Sequence, residues 1–403
     1  MALMPLTSPF YSIDSRTTWL RMVLLGASIL GLLACRPLWS NARLYPLLPI
    51  THWFPILPAP WDTVCFWAML LSLALAIWFY RPAVRVFLIL SLYAFCEDQN
   101  RGQPWLYLYW MLLCFTLLPT AVSVAACRCA ISVAYIWSGI QKCNPKFFQT
   151  EPAFFAAPAA HWHLPAIAID LLRWAVTCTP FLELGIGLAL WLPRLRRAAI
   201  GAVIVLHVGA LLVLGPLGYN YNWVVWPWNV AMIALVCVLF VHDKSASSQQ
   251  AQTSLGQTLA QLRRSLLALA MVALYSLLPA LSYAGWWDSY FSFSLYADNA
   301  ATANIFVTQS FADGLPPKMR EQVKPFAATY DPEHQGPFVF AYGIWCYQEL
   351  GVPPIPEPRA FRSMYNFLRS YSKEPGDLRM IVGQRAGPVI FYEGDVRQFL
   401  TPN

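Results

Sequence analysis

The stretch Tyr135-Ile-Trp-Ser138-Gly139-Ile-Gln-Lys142-Cys-Asn144-Pro-Lys146 closes an apolar run that begins near residue 121. A run of about 20 residues is what a helix needs to cross the hydrocarbon core of a bilayer. The fold class turns on it, because runs of the same kind recur along the chain. Lys142 needs a reason to sit there. Gly139 and Ser138 let neighbouring helices approach closely, so the amine is expected in a protein-lined pocket, where it can act as a general base. The other reading is a lysine in the last helical turn that snorkels to the headgroups and complements the helix dipole.

Composition points the same way: 58% of residues are hydrophobic, 15% aromatic and 12% charged, where soluble domains average about 25% charged. Apolar runs fall near 18–35, 62–80, 83–97, 104–118, 121–143, 167–193, 198–215, 222–242 and 265–285. The expected fold is an all-α polytopic membrane helix bundle of about nine transmembrane helices over 1–285, with a small α+β extramembrane domain over 286–403. The first run carries Arg16 and Arg21 at its start without a small-residue cleavage site behind a short apolar core, so it reads as an anchor. With the N-terminus cytoplasmic, Arg16, Arg81, Arg85, Arg194, Arg196, Arg197, Lys244, Arg263 and Arg264 all fall on the cytoplasmic side. Odd parity then places the tail on the outer face of a bacterial inner membrane. This asymmetry accounts for the net charge of +7 and calls for no nucleic acid.

A polar stretch over 245–262 reads as a cytoplasmic linker, and 144–166, rich in Pro, Phe, His161, Trp162 and His163, as a re-entrant or interfacial segment. The two histidines lack a third ligand nearby, and Cys127-Arg128-Cys129 lacks the spacer of a zinc or redox pair, so no metal is expected. In the tail, Asn304–Thr308, Leu378–Val382 and Pro388–Tyr392 read as strands, and Pro317–Phe326, Phe338–Leu350 and Pro358–Tyr371 as helices.

Polar residues inside or beside the apolar runs are the site candidates. Asp98, Gln99, Arg101 and Gln103 crowd the entry to the fourth run. Asp98 and Asn100 are suited to capping that helix, and the group as a whole to orienting a polar headgroup. Glu183 and His207 lie deep in the sixth and seventh runs, where ionisable groups face a cavity or a partner. His207 is suited to a quinol oxygen, since one imidazole nitrogen donates and the other accepts; a satisfied structural pair with Glu183 is the rival. Tyr219 and Asn222 sit in an uncharged Gly-rich turn suited to presenting them over a pocket.

Together these blocks resemble the HTTM membrane domain, whose characterised relatives are the vitamin K-dependent gamma-carboxylases. Tyr135-Ile-Trp-Ser-Gly139-Ile-Gln-Lys142-Cys-Asn144 is similar to that family's Tyr-Phe-x-Ala-Gly-x-Lys-Lys-Leu-Asp block, with Lys142 at the catalytic lysine. The resemblance implies a lysine that deprotonates a vitamin K hydroquinone, whose reaction with oxygen yields a base strong enough to take a proton from glutamate before carbon dioxide adds. Tyr135, Asn144, Glu183, His207, Tyr219 and Asn222 would line the substrate site. Gln141 replaces the first lysine of the pair, Trp105 stands where a histidine precedes Tyr107-Leu-Tyr109, and the tail is short for a propeptide-binding domain. These departures favour quinol oxygenation or epoxidation over carboxylation.

The expectation is therefore a membrane enzyme acting on a quinol or similar lipophilic substrate, with Lys142 and His207 catalytic. Its partners would be membrane lipid, a lipophilic quinone and a protein or peptide at the outer face. The alternative is a non-catalytic quinone-associated or partner-docking membrane subunit.

Overall fold

The computed structural model describes residues 13–241, 254–326, 338–385 and 389–392. Helices dominate: α1 (Ile13–Ala34), α2 (Trp61–Leu75), α3 (Tyr80–Glu97), α4 (Pro104–Thr116), α5 (Thr120–Lys142), α6 (Pro145–Ala156), α7 (Pro158–His161), α8 (Ala166–Ala189), α9 (Arg196–Leu214), α10 (Val225–Phe240), α11 (Leu255–Leu262) and α12 (Leu266–Leu277). The 245–253 part of the expected linker lies outside the described residues. The rest of it, from Ser254, is helical, because Ser254 and Gln257 form a reciprocal capping box at the start of α11.

Among the described residues, five helices are long and apolar enough to cross a membrane: Ser15–Ala34, Thr120–Lys142, Ala166–Ala189, Arg196–Leu214 and Leu266–Ala284. The other four expected spans differ for physical reasons. Helices α2, α4 and α10 have 15, 13 and 16 residues, short of the roughly 20 that an untilted crossing takes. Helix α3 carries Arg81, Arg85 and Glu97. The outward faces of the bundle expose Leu30, Leu71, Trp78, Ile89, Ile167, Trp174 and Val205, an apolar surface suited to lipid.

Helix α5 is the axis, packing against α1, α4, α8, α10, α11 and α12. Its sequence makes that position available, because Ser123, Ala125, Ala126, Cys127, Ala130, Ser132 and Ala134 are small and all buried. The closest approach is to α8. A Cβ on Gly139 would lie 2.5 Å from the Pro180 carbonyl oxygen and 2.7 Å from the Leu184 nitrogen, and one on Gly187 would lie 2.7 Å from the Ser132 oxygen. The two helices thus run antiparallel with their backbones in contact at both glycines. At one end of the bundle, buried arginines take the last carbonyls of α10: Arg16 donates to Val238 and Val241, and Arg128 to Leu239. These are acceptors that a helix C-terminus leaves unpaired.

The tail folds as an antiparallel five-stranded sheet in the order β2-β3-β1-β4-β5, from β1 (Thr302–Val307), β2 (Val323–Pro325), β3 (Phe338–Phe340), β4 (Leu378–Gly383) and β5 (Ile390–Tyr392). Leu378, Met380 and Val382 alternate inward, facing Phe361, Met364, Tyr365 and Leu368 of the amphipathic helix α16 (Pro358–Arg369). Two expected helices are shorter than anticipated. The one from Pro317 stops at Arg320, and 323–325 form β2; Phe338–Phe340 form β3, so the other runs only over Tyr342–Leu350. Both segments go to strand because Phe338 and Val339 pair with β1 and offer β2 a partner. Pro388 lies outside the described residues.

The Asp377 carboxylate ties the loop before β4 to β1, accepting from the Thr308 and Ser310 hydroxyls at 2.8 and 2.9 Å and from the Lys373 and Glu374 amides at 3.1 and 3.0 Å. Burial acts to raise its pKa, but these donors outweigh it and hold the carboxyl below its ordinary range. A depressed folded value contributes stability above the unfolded pKa of about 4 and loses it as pH falls through the folded value. Asp377→Asn should destabilise the tail by about 1–3 kcal/mol at pH 7 and flatten its acid dependence below pH 5, measured by near-UV circular dichroism of the full chain. Gly139→Ala should cost about 1–3 kcal/mol through overpacking against the α8 backbone, read as a lowered unfolding temperature in detergent. Gly185→Ala, where a Cβ meets nothing within 4 Å, should be tolerated.

Candidate functional site

The glycine contact brings Lys142 of α5 against Glu183 of α8. Lys142 Nζ donates to Glu183 Oε1 and Oε2 at 2.8 and 2.7 Å and to Ser138 Oγ at 2.9 Å, so its three donors are all used. Both side chains are buried. Glu183 is carried on a turn that Pro180 interrupts; the Val176 carbonyl, which loses its partner at the proline, accepts from the Thr179 hydroxyl at 2.7 Å. Lys142 is therefore neither a snorkelling lysine nor a solitary amine. Glu183 pairs with Lys142 rather than with His207. A buried pair of this kind is held by mutual attraction in a low-dielectric interior, and removing either partner strands the other.

Two turns back along the same face of α5, Tyr135 meets His207 of α9. The Tyr135 hydroxyl lies 2.6 Å from His207 Nε2, and His207 Nδ1 lies 2.6 Å from Asn229 Oδ1 of α10. Asn229 fixes the direction of this chain. Its Nδ2 donates to the Val225 carbonyl at 2.7 Å, so its Oδ1 faces the imidazole and must accept from Nδ1–H. Nε2 then carries the lone pair and accepts from Tyr135. His207 is thereby held as a base for the Tyr135 hydroxyl. Glu183 and His207 both face the bundle interior, in two separate hydrogen-bonded clusters on α5.

The polar residues before α4 are bound up with one another. Arg43 pairs with Asp98, Arg101 donates to Glu97 at 2.5 Å and to Asn41 Oδ1 at 2.7 Å, and Glu97 also accepts from Asn41 at 2.9 Å. Asp98 further accepts from the Leu48 amide and from Asn100. Burial acts to raise the Asp98 pKa, but Arg43 and Arg101 prevail and hold it below its ordinary range. The group clasps residues 38–57 onto the α3–α4 junction. Gln99 accepts from Arg359 at 2.6 Å and Gln103 donates to the Pro353 carbonyl at 3.2 Å, so these two dock the tail.

Asn144 caps α6, accepting from the Phe147 amide at 3.0 Å while donating to Ala297 in the tail. Tyr219 stacks on Phe154 and donates to its carbonyl at 2.6 Å. Asn222, in a left-handed conformation with φ 53°, donates its backbone amide to the Tyr347 hydroxyl, and its Oδ1 is buried without a partner among the described residues. Lys142, Glu183, Tyr135 and His207 thus belong to the two core clusters, whereas Gln99, Gln103, Asn144 and Asn222 bond the tail, Asp98 and Arg101 hold the 38–57 segment, and Tyr219 packs on α6.

Sequence reasoning passed over Asn229 and gave Gln141 no role of its own. Asn229 carried the same signal as His207, a polar residue inside an otherwise apolar helix. Gln141 is the hub of the docking face, since its Oε1 accepts from both Asn299 and Arg385. Chemically, each core cluster joins a donor to a basic acceptor: an ammonium to a carboxylate at Lys142–Glu183 and a hydroxyl to an imidazole lone pair at Tyr135–His207. Compared with protein-family models, curated proteins and solved structures, the chain matches none of them.

Proposed function

We propose that the chain is an integral membrane enzyme of the HTTM type that acts on a quinol or a similar lipophilic hydroxyaromatic, in the manner of a vitamin K-dependent carboxylase or epoxidase. The observation that carries this reading is the Lys142–Glu183 pair, buried in an apolar bundle beside a histidine whose lone pair is aimed at a tyrosine hydroxyl. Ionisable groups in such surroundings are costly and are typically functional. In the proposed step, Lys142 passes a proton to Glu183 within their hydrogen bond, and the freed amine takes the phenolic proton of the quinol. The resulting ammonium neutralises the phenolate. Tyr135 and His207 orient the ring system, and oxygen is the second substrate.

The same proposal includes nine crossings, a cytoplasmic N-terminus and the tail on the outer face of a bacterial inner membrane. Two features support that topology. The tail docks on Gln99, Gln103, Gln141 and Asn222, all at chain positions assigned to the outer side. Arg16 and Arg196, at chain positions the proposal assigns to the cytoplasmic side, are buried together with Arg128.

A non-catalytic partner-docking subunit is the second reading, favoured by the fact that Lys142 already spends all its donors within the protein. The two diverge on substitution. Lys142→Ala strands a buried carboxylate, with a cost of about 3–5 kcal/mol, so lost activity there is ambiguous. Lys142→Arg preserves the charge opposite Glu183 but cannot accept a proton. It should keep the wild-type unfolding temperature within a few degrees and lower turnover of a reduced quinone by about 10²–10⁴-fold. Full turnover in the arginine variant would reduce Lys142 to a structural charge.

Topology has its own test. Cys346 is buried and cannot report by labelling, whereas Cys143 is exposed. In a variant whose sole cysteine is Cys143, a membrane-impermeant maleimide should label spheroplasts; labelling only after permeabilisation would reverse the orientation.

A further inference from the structure

A pocket of about 230 Å³ opens where α6 meets the first residues of the tail, with Lys146, Glu151, Tyr221, Tyr290, Tyr296 and Asp298 among its walls. None of its lining residues belongs to the Lys142–Glu183 or His207 cluster. Glu151 is only 9% exposed, and its Oε2 is buried with no hydrogen-bond partner among the described residues. A buried carboxylate oxygen without a donor is costly. Burial, and after it the charge of Asp298, push this carboxyl up to about 7, against the pull of Lys142 and Lys146.

No group among the described residues supplies the missing donor. Lys146, one turn away on α6, turns to Asp298 at 3.7 Å, and Asp298 also accepts from the Thr150 hydroxyl. Tyr290 spends its hydroxyl on the Pro354 carbonyl at 2.9 Å, and the Tyr296 hydroxyl takes a bond from Asn222 at 3.4 Å. What the walls offer a ligand is a carboxylate in want of a proton donor, surrounded by aromatic rings whose faces attract cations. An anion would meet two carboxylates and one exposed lysine that is already engaged.

We propose that this pocket binds the ammonium group of a small organic amine of the ethanolamine type, free or as a lipid headgroup, with Glu151 as its counter-charge. One N–H of the ammonium supplies the donor that Oε2 lacks, the charge is neutralised on site, and the tyrosines enclose the remaining methylenes. The site does not depend on quinol chemistry at Lys142.

Isothermal titration of the full chain in phosphatidylglycerol nanodiscs tests it, with ethanolamine as the probe and ethylene glycol as its uncharged counterpart. Saturable binding of ethanolamine alone is expected, weakened at least about tenfold by Glu151→Gln. Repeating the titration in nanodiscs that contain phosphatidylethanolamine distinguishes the sources: suppression of ethanolamine binding identifies the headgroup as the occupant, and unchanged binding identifies the free amine. Absence of saturable binding, equal binding of ethylene glycol, or wild-type affinity in Glu151→Gln would overturn the proposal. Should that variant not fold, Ala300→Phe, which fills the pocket from its wall, decides in its place: unchanged affinity there would overturn it.

Discussion

The close contact of α5 and α8 governs the rest of the bundle. Two glycines on facing helices remove the side chains that would hold the backbones apart, and only at that separation can Lys142 reach both oxygens of Glu183. The ion pair and the glycines depend on each other. In an apolar interior neither charge is tolerable alone, and the attraction that holds them is strong only where water and bulk are excluded. Because α5 packs against α1, α4, α8, α10, α11 and α12, its placement also positions Tyr135 against His207 and Gln141 against the tail.

Much of this was legible in the chain. The small residues of α5, the depth of Glu183 and His207, and the lysine at the end of the Tyr135–Asn144 block all carry their information locally. The partnerships did not. Lys142 and Glu183 are 41 positions apart, and composition cannot say whether a buried acid faces a lysine or a histidine. The Asp98–Arg101 group looked like a headgroup site because its donors and acceptors are dense; its true partners, Arg43 and Asn41, come from a loop with no periodicity to place it. Helix lengths were also overread. Hydropathy windows ran past the ends of α2, α4 and α10, where proline and tight turns stop the helix before the apolar residues run out.

The tail shows the same division. The alternation in β1 and β4 and the strong amphipathicity of α16 are written in single segments, whereas β2 and β3 are three residues each and exist only through pairing. Its docking joins polar contacts through Gln99, Gln103, Gln141 and Arg359 to aromatic ones such as Tyr45 on Trp345 and Tyr107 on Phe291; the polar ones set the orientation of the tail on the bundle. Such contacts fix orientation more than they add stability, since each hydrogen bond replaces one to water.

If the buried pair serves quinol chemistry, a quinol or quinone should accompany the protein out of the membrane. Lipids extracted from the purified chain and analysed by mass spectrometry should contain a quinone in near-stoichiometric amount, well above that in an unrelated membrane protein prepared alongside. A quinone content equal to that control would contradict the assignment of Lys142 and Glu183 to a quinol site.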